Sequence, residues 1–457
     1  MSVPAGIDAE RGPPMAVPLA HFLVGFAFLL AGTGLGVLGL VGVTPGLAGP
    51  AHVHLLLVGW VCVTILGAMT QFVPVWSGVE LHSRRLALAQ LALVAGGVSG
   101  FAGLLLAGTL DLLPIAGASM LAGFWVFVYN VGRTLWSVEE RDTTERHFGL
   151  ALGHVLLVTT LGLLLAVDFT RPIFALAGLA RSEVVSAHAT LAVFGVVLTT
   201  VVGALYQLVA MFTQTEIEDA DATLRRVEET TYPVGVLALA GGRLVGSAPV
   251  ARVGGALVLV GLLAFTAVLA RKLVETRVER TPMLSRYALV AVVLPAWVVS
   301  TAPPWLTGAE DPATTFGHPA VGHLLAAGAI GFVLLGTLYH VVPFIVWIRR
   351  YSDRVGLEPV PMIDDLYDAR LAAADFWLAL VGVGLVVLAA VWRSVGMGEA
   401  ELAGLLGGAL ALVGFAVFSG NLVGVVVRHG PESLRIDALG SETGGDAPER
   451  DPDEQFP

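Results

Sequence analysis

Residues 51–74 read AHVHLLLVGWVCVTILGAMTQFVP: two histidines at the entry of a long apolar run, then Gly59, Thr64, Gly67-Ala68, Gln71 and Val73. The same pattern returns without a gap 136 residues later, in AHATLAVFGVVLTTVVGALYQLV at 187–209, with Ala187-His188, Gly195, Thr200, Gly203-Ala204, Gln207 and Val209. A further 133 residues on, HLLAAGAIGFVLLGTLYHVVP at 323–343 sets His323-Leu324, Gly328, Gly336, Tyr339-His340 and Val342-Pro343 against His54-Leu55, Gly59, Gly67, Thr70-Gln71 and Val73-Pro74. Each run is long enough for a bilayer core, which takes about 20 apolar residues of helix. Three related spans at near-constant spacing make the chain an internal repeat of membrane units.

The rest of the sequence agrees. Of 457 residues 56% are hydrophobic and 13% charged, against about 25% charged in an ordinary soluble domain, so lipid is the solvent for most of the chain. Twelve apolar segments are expected, at 17–43, 51–76, 86–110, 112–137, 147–168, 183–213, 232–248, 250–270, 286–306, 319–348, 372–393 and 398–427. The fold class is an all-α integral membrane protein of about twelve transmembrane helices in three pseudo-symmetric four-helix units, 17–137, 147–270 and 286–427, within a membrane domain 17–427. Segment seven is short and carries Arg243, and segment nine holds Pro295 and ends at Pro303-Pro304, so both are expected to be shifted or broken. Loops after even-numbered helices carry most arginines, among them Arg84, Arg85, Arg141, Arg146, Arg225, Arg226, Arg349 and Arg350. The positive-inside rule then puts both termini, the 1–16 segment and the 428–457 tail, in the cytoplasm of a plasma-membrane protein. Asp437 to Pro457 is acidic, rich in Gly and Pro and expected to be disordered. With a net charge of −11, nucleic acid is not an expected partner, and no nucleotide fingerprint occurs. Cys62 is the sole cysteine, which excludes an intrachain disulfide and a covalent haem motif.

Glycines in the repeat are explained by close helix packing. Histidine near the outer end of all three helices is not, because ionisable groups in lipid usually face a cavity, a partner or a cofactor. Neutral imidazole is a natural axial ligand of haem iron, and a b-type haem needs two, from facing helices. His54 and His323 occupy equivalent positions and are the expected clamp. His52 lies two residues before His54, about 200° round the helix, so the two rings point to nearly opposite faces, do not easily serve one iron and could serve two sites. His188 aligns with His52, while Thr190 stands where His54 does, so His52 and His188 are candidates for a second centre. The alternative for all four is hydrogen bonding to neighbouring helices. His340 reads as an interfacial histidine, His21 and His154 as helix contacts, and Arg133 and Asp375 as snorkelling side chains.

Twelve helices in three groups of four, with histidines near the outer ends of helices 2, 6 and 10, resemble subunit I of the haem-copper oxidase superfamily. The stretch His-x-His-Leu followed by Gly-Ala-x-x-Gln-x-Val-Pro also looks like the smaller NnrS-type membrane haem proteins. The resemblance covers residues 17–427. It implies a low-spin haem on His54 and His323 and assigns His188 to the family's copper site. Val321 stands where the full oxidases have the high-spin haem ligand, and Tyr232 to Ala248 lacks their histidine pair, so a three-histidine copper site and standard oxygen reduction are not expected. What remains is a haem-binding membrane redox protein, for electron transfer or nitric-oxide-related chemistry, with an unnamed electron donor or partner subunit and haem b as cofactor; copper or another second metal stays open. A secondary transporter, in which repeats are also common, and a non-catalytic scaffold subunit are the competing readings.

Overall fold

The computed structural model describes residues 12–432, except 399, together with 434. The N-terminal segment up to residue 11 and the acidic tail fall outside the described residues. Among the described residues there is no strand in any sheet, and twelve long helices follow one another: α1 (Ala16–Leu40), α2 (Ala48–Ser77), α3 (Arg84–Ala107), α4 (Leu110–Trp136), α5 (Thr143–Asp168), α6 (Arg181–Thr213), α7 (Asp219–Leu244), α8 (Ala248–Val274), α9 (Pro282–Gly308), α10 (Leu324–Arg350), α11 (Ala369–Ser394) and α12 (Ala400–His429). Eleven of them are long and apolar enough to cross a membrane; α7 falls short because its first half is charged. The chain is an all-α, multi-span membrane protein.

Two expectations about helix limits are corrected. The stretch between the expected segments 183–213 and 232–248 is helical from Asp219 onward, so α7 starts well before residue 232. Its charges are paired: buried Asp221 meets Lys272 at 2.9 Å and Arg271 at 2.8 Å, both at the end of α8. Hydropathy cannot register charges that a neighbouring helix neutralises. Segment nine is unbroken, since α9 runs from Pro282 to Gly308 through Pro295, Pro303 and Pro304.

The repeat reappears in the backbone. Immediately after His54, Thr190 and His323 the helix widens into an eight-residue π segment, Leu55–Cys62, Leu191–Leu198 and Leu324–Gly331. These stretches are rare and tend to lie at functional sites. The three helices concerned form the centre: 67%, 83% and 83% of their most apolar windows in α2, α6 and α10 is buried, against 28% in α11. Around them the units follow in a ring, with α4 against α5, α8 against α9 and α12 back against α1.

Within each unit the third and fourth helices form a tight hairpin. A Cβ on Gly254 of α8 would stand 2.2 Å from the Leu239 nitrogen in α7, and one on Gly382 of α11 would stand 2.4 Å from the Ala411 nitrogen in α12. In α4 a Cβ on Gly123 would meet the Val94 nitrogen of α3 at 2.9 Å. Only glycine permits such backbone contact, the usual device for joining helices where water supplies no driving force. Gly382→Leu is therefore expected to lower the thermal unfolding temperature of the detergent-solubilised protein, by overpacking of at least about 1–3 kcal/mol. Gly384→Leu, where an added Cβ meets nothing within 4 Å, should leave it unchanged; equal melting of the two variants would refute this account of the hairpin.

Candidate functional site

His52 and His54 leave α2 on opposite sides and open into two different cavities. The first, of about 460 Å³, is lined by His52 and His323 with Thr33, Gly36, Arg393 and Phe415. The second, of about 340 Å³, is lined by His54 and His188 with Cys62, Phe101, Phe124 and Gly162. In each cavity two imidazoles from different helices line the same space. His54 and His323, the pair expected from their equivalent positions, line different cavities.

The rings are held in a defined orientation. Nδ1–H of His52 donates to the Gly32 carbonyl at 2.7 Å, that of His188 to the Val158 carbonyl at 3.0 Å, and that of His54 to the Pro50 carbonyl at 2.8 Å. A carbonyl only accepts, so Nδ1 carries the hydrogen in each, and the neutral ring keeps its Nε2 lone pair. That is the usual posture of a metal-ligating histidine, oriented by an outer hydrogen bond. His323 is exposed within the bundle's first cavity and its ring has no hydrogen bond among the described residues.

Glycines make room for two of these rings. A Cβ on Gly36 would lie 2.6 Å from Cε1 of His52, and one on Gly162 would lie 3.0 Å from Cε1 of His188. In α1 the glycine follows the accepting residue, Gly32, by one turn, and in α5 Gly162 follows Val158 by the same step. α1 and α5 thus repeat each other as α2 and α6 do, a match the sequence holds but whose meaning needs the contacts.

The pairing follows the ring. A histidine at the first position of one unit (His52, His188) meets a histidine at the second position of a neighbouring unit (His323, His54). The third interface would pair Thr190 with Val321, and there no imidazole is present. Arg243 of α7 fills it instead, fully buried, with Nη1 donating to Thr190 Oγ1 at 2.6 Å and to the Thr315 carbonyl at 3.1 Å. Its Nε donates to the Ala309 carbonyl at 2.8 Å, its Nη2 to the Thr314 carbonyl at 3.1 Å, and its guanidinium stands 5.3 Å from the Trp305 ring centre.

Among the described residues no three or more His, Cys, Asp and Glu side chains gather as a metal site. The arrangement offers pairs of imidazoles across a slot, a donor set for an ion or cofactor bound from two opposite sides. Of the remaining histidines, His340 packs on Phe212 at 4.4 Å, lining a 620 Å³ cavity at the far, arginine-rich end with Tyr339, Asp364 and Tyr367. His318 accepts from the Ala320 nitrogen at 3.2 Å and caps a turn. Asp375, expected to snorkel, is buried and paired with Arg286.

No family model matches the chain, and a search of curated proteins returned no relative.

Arg243→Met is expected to lower the unfolding temperature markedly, because each buried acceptor it abandons costs roughly 1–3 kcal/mol. Arg252→Met, which breaks only the partly exposed pair with Glu310 at 2.8 Å, should cost about 0–1 kcal/mol. Similar melting of both variants would mean that Arg243 does not hold the third interface.

Proposed function

We propose that this protein is a membrane haem protein with two bis-histidine sites, one on His52 and His323 and one on His54 and His188. The observation that carries the reading is the pairing itself: two cavities, each facing two imidazoles from different helices, with the ring tautomers of His52, His54 and His188 leaving Nε2 open. Volumes of about 340 and 460 Å³ lie within the roughly 300–1,000 Å³ usual for cofactor sites. A haem in such a site supplies one-electron exchange at iron. The protein's own part would be to hold the two imidazole Nε2 atoms of each pair in place, exclude water with apolar walls and tune charge. Arg393 lines only the first cavity and is suited to an anionic cofactor edge such as a propionate; the second cavity has no charged lining residue.

The resemblance to haem-copper oxidase subunit I and to NnrS-type proteins supports the same class. By the positive-inside rule the histidine sites lie near the outer face of the plasma membrane, with the arginine-rich face cytoplasmic. The chemistry proposed is electron transfer, with nitric oxide or another diatomic as a candidate ligand.

The test is the haem content and reduced-minus-oxidised spectrum of protein purified from haem-replete cells. The wild type should hold two haems per chain, measured as pyridine haemochrome. His52→Ala and His323→Ala should each remove one and the same haem, His54→Ala and His188→Ala the other, and the His52→Ala/His54→Ala double variant both. A protein without haem overturns the proposal in favour of a transporter or scaffold. A single haem lost in both His54→Ala and His323→Ala would restore the clamp first expected.

A further inference from the structure

A second polar layer crosses the bundle near its arginine-rich face, and it too obeys the repeat. Each unit contributes one buried side chain from its first helix, a hydroxyl from its second and a hydrogen-bonding group from its third. In the first unit these are His21, Thr70 and Gln90, with Gln90 Nε2 at 3.5 Å from His21 Nε2 and 3.4 Å from Thr70 Oγ1. In the second they are His147, Tyr206 and Glu228, with His147 Nε2 at 3.1 Å from Glu228 Oε1 and Tyr206 donating to Oε2 at 3.3 Å. In the third, Arg286 pairs with Asp375, which also accepts from Tyr339, itself the acceptor of Asn421 Nδ2 at 3.1 Å. Equivalence is fixed by packing: Gly67, Gly203 and Gly336 stand against the Cβ of His21, His147 and Arg286.

The three clusters differ in what they do with a proton. The first has no acid. In the third, guanidinium does not deprotonate, and both Asp375 oxygens already face a donor, one Arg286 and the other Tyr339. Only the second joins imidazole to carboxyl. His147 Nδ1–H is committed to the Thr143 carbonyl at 2.7 Å, which leaves Nε2 and Oε1 facing each other with lone pairs unless one proton lies between them. The pair therefore holds one removable proton, neutral overall with it and carrying one negative charge without it.

Water is close on one side. Around the pair, α5 contributes Arg146, α7 contributes Arg225, Glu229 and Tyr232, α6 contributes Tyr206, and on α8 Phe265 packs against Tyr206. Arg146 joins Glu229 at 2.8 Å and is 53% exposed, so the cluster lies about one turn from solvent. On the other side, the same face of α5 carries His154 seven residues on and then Val158, whose carbonyl orients His188. His154 is buried and packs on Gly195, and among the described residues its Nδ1 makes no hydrogen bond of good geometry. The equivalent contacts elsewhere are apolar: Phe28 on Gly59 and Val293 on Gly328. Among the described residues, only the second unit combines such a pair with a further buried imidazole on the same helix face, His154, which stands between the pair and Val158, a span of about 16 Å along the helix.

The geometry points to His147, Glu228 and Tyr206 as a proton-loading site filled from the arginine-rich face, with His154 as the next stop toward the His54/His188 cavity. This rests on the redox reading above: one electron delivered to that cavity by a one-electron donor would be balanced by one proton, which passes from the His147–Glu228 pair to His154 while the pair is refilled from the water on the arginine-rich side.

Variants that borrow the first unit's residues test it without altering the fold: Glu228→Gln, as at Gln90, and His154→Phe, as at Phe28. Infrared difference spectra of the purified protein between acid and alkaline pH should show a carboxyl and imidazole signal that Glu228→Gln abolishes, whether or not haem is bound. In electrochemical titrations the potential of the haem dependent on His54 and His188 should fall with rising pH in the wild type and lose that slope in both variants. Asp375→Asn should keep it. A pair that does not titrate in the infrared, or a slope unchanged in either variant, overturns the inference. Protein that titrates in the infrared but holds no haem would defeat only the redox reading, leaving the proton site standing.

Discussion

Everything in this protein depends on how three four-helix units close into a ring. Lipid offers no hydrogen bonds and little apolar driving force between helices, so each polar side chain must be matched by a neighbour and each close approach made by small residues. The ring meets both demands at once. Glycine-joined outer hairpins free the first two helices of each unit to line the interfaces, and the central α2, α6 and α10 each meet two neighbours. Because the contact is head-to-tail, a given position in one unit meets a different position in the next, and that is what sets His52 against His323 and His54 against His188.

Substitution on this common backbone then makes three interfaces of three kinds. Two present paired imidazoles, one beside Arg393 and one in wholly uncharged surroundings. The third is filled by Arg243, whose donors are taken up by carbonyls and a threonine hydroxyl. The layer nearer the arginine-rich face diverges in parallel, as a neutral trio, an imidazole–carboxyl pair and an arginine–aspartate ion pair. The unit with the removable proton is the one whose first helix also orients His188. Symmetry supplied equivalent positions, and asymmetry of side chains gave each a different set of groups.

The central helices were readable because their signal is local. Apolar runs of span length, with glycine and histidine at fixed offsets, placed α2, α6 and α10 and the other spans except α7. That helix misled because its charges are neutralised across space, Asp221 by Lys272 and Arg271 and Glu228 by His147, and no window of sequence sees a partner tens of residues away. His21 and His147 were unmatched for the same reason: α1, α5 and α9 share few residue types, and their equivalence shows only where Gly67, Gly203 and Gly336 touch them. The divergent faces of His52 and His54 did follow from helical periodicity, and with it the expectation of two centres.

By itself the sequence determined the solvent, the number of units and the four histidines that line the two cavities, since composition, repeat and periodicity are properties of the chain read along one dimension. Which histidine faces which was decided only in three dimensions. Equivalent positions suggest that like meets like, as across a twofold axis, whereas a ring of three brings unlike positions together, and nothing along the chain states which way round the units follow.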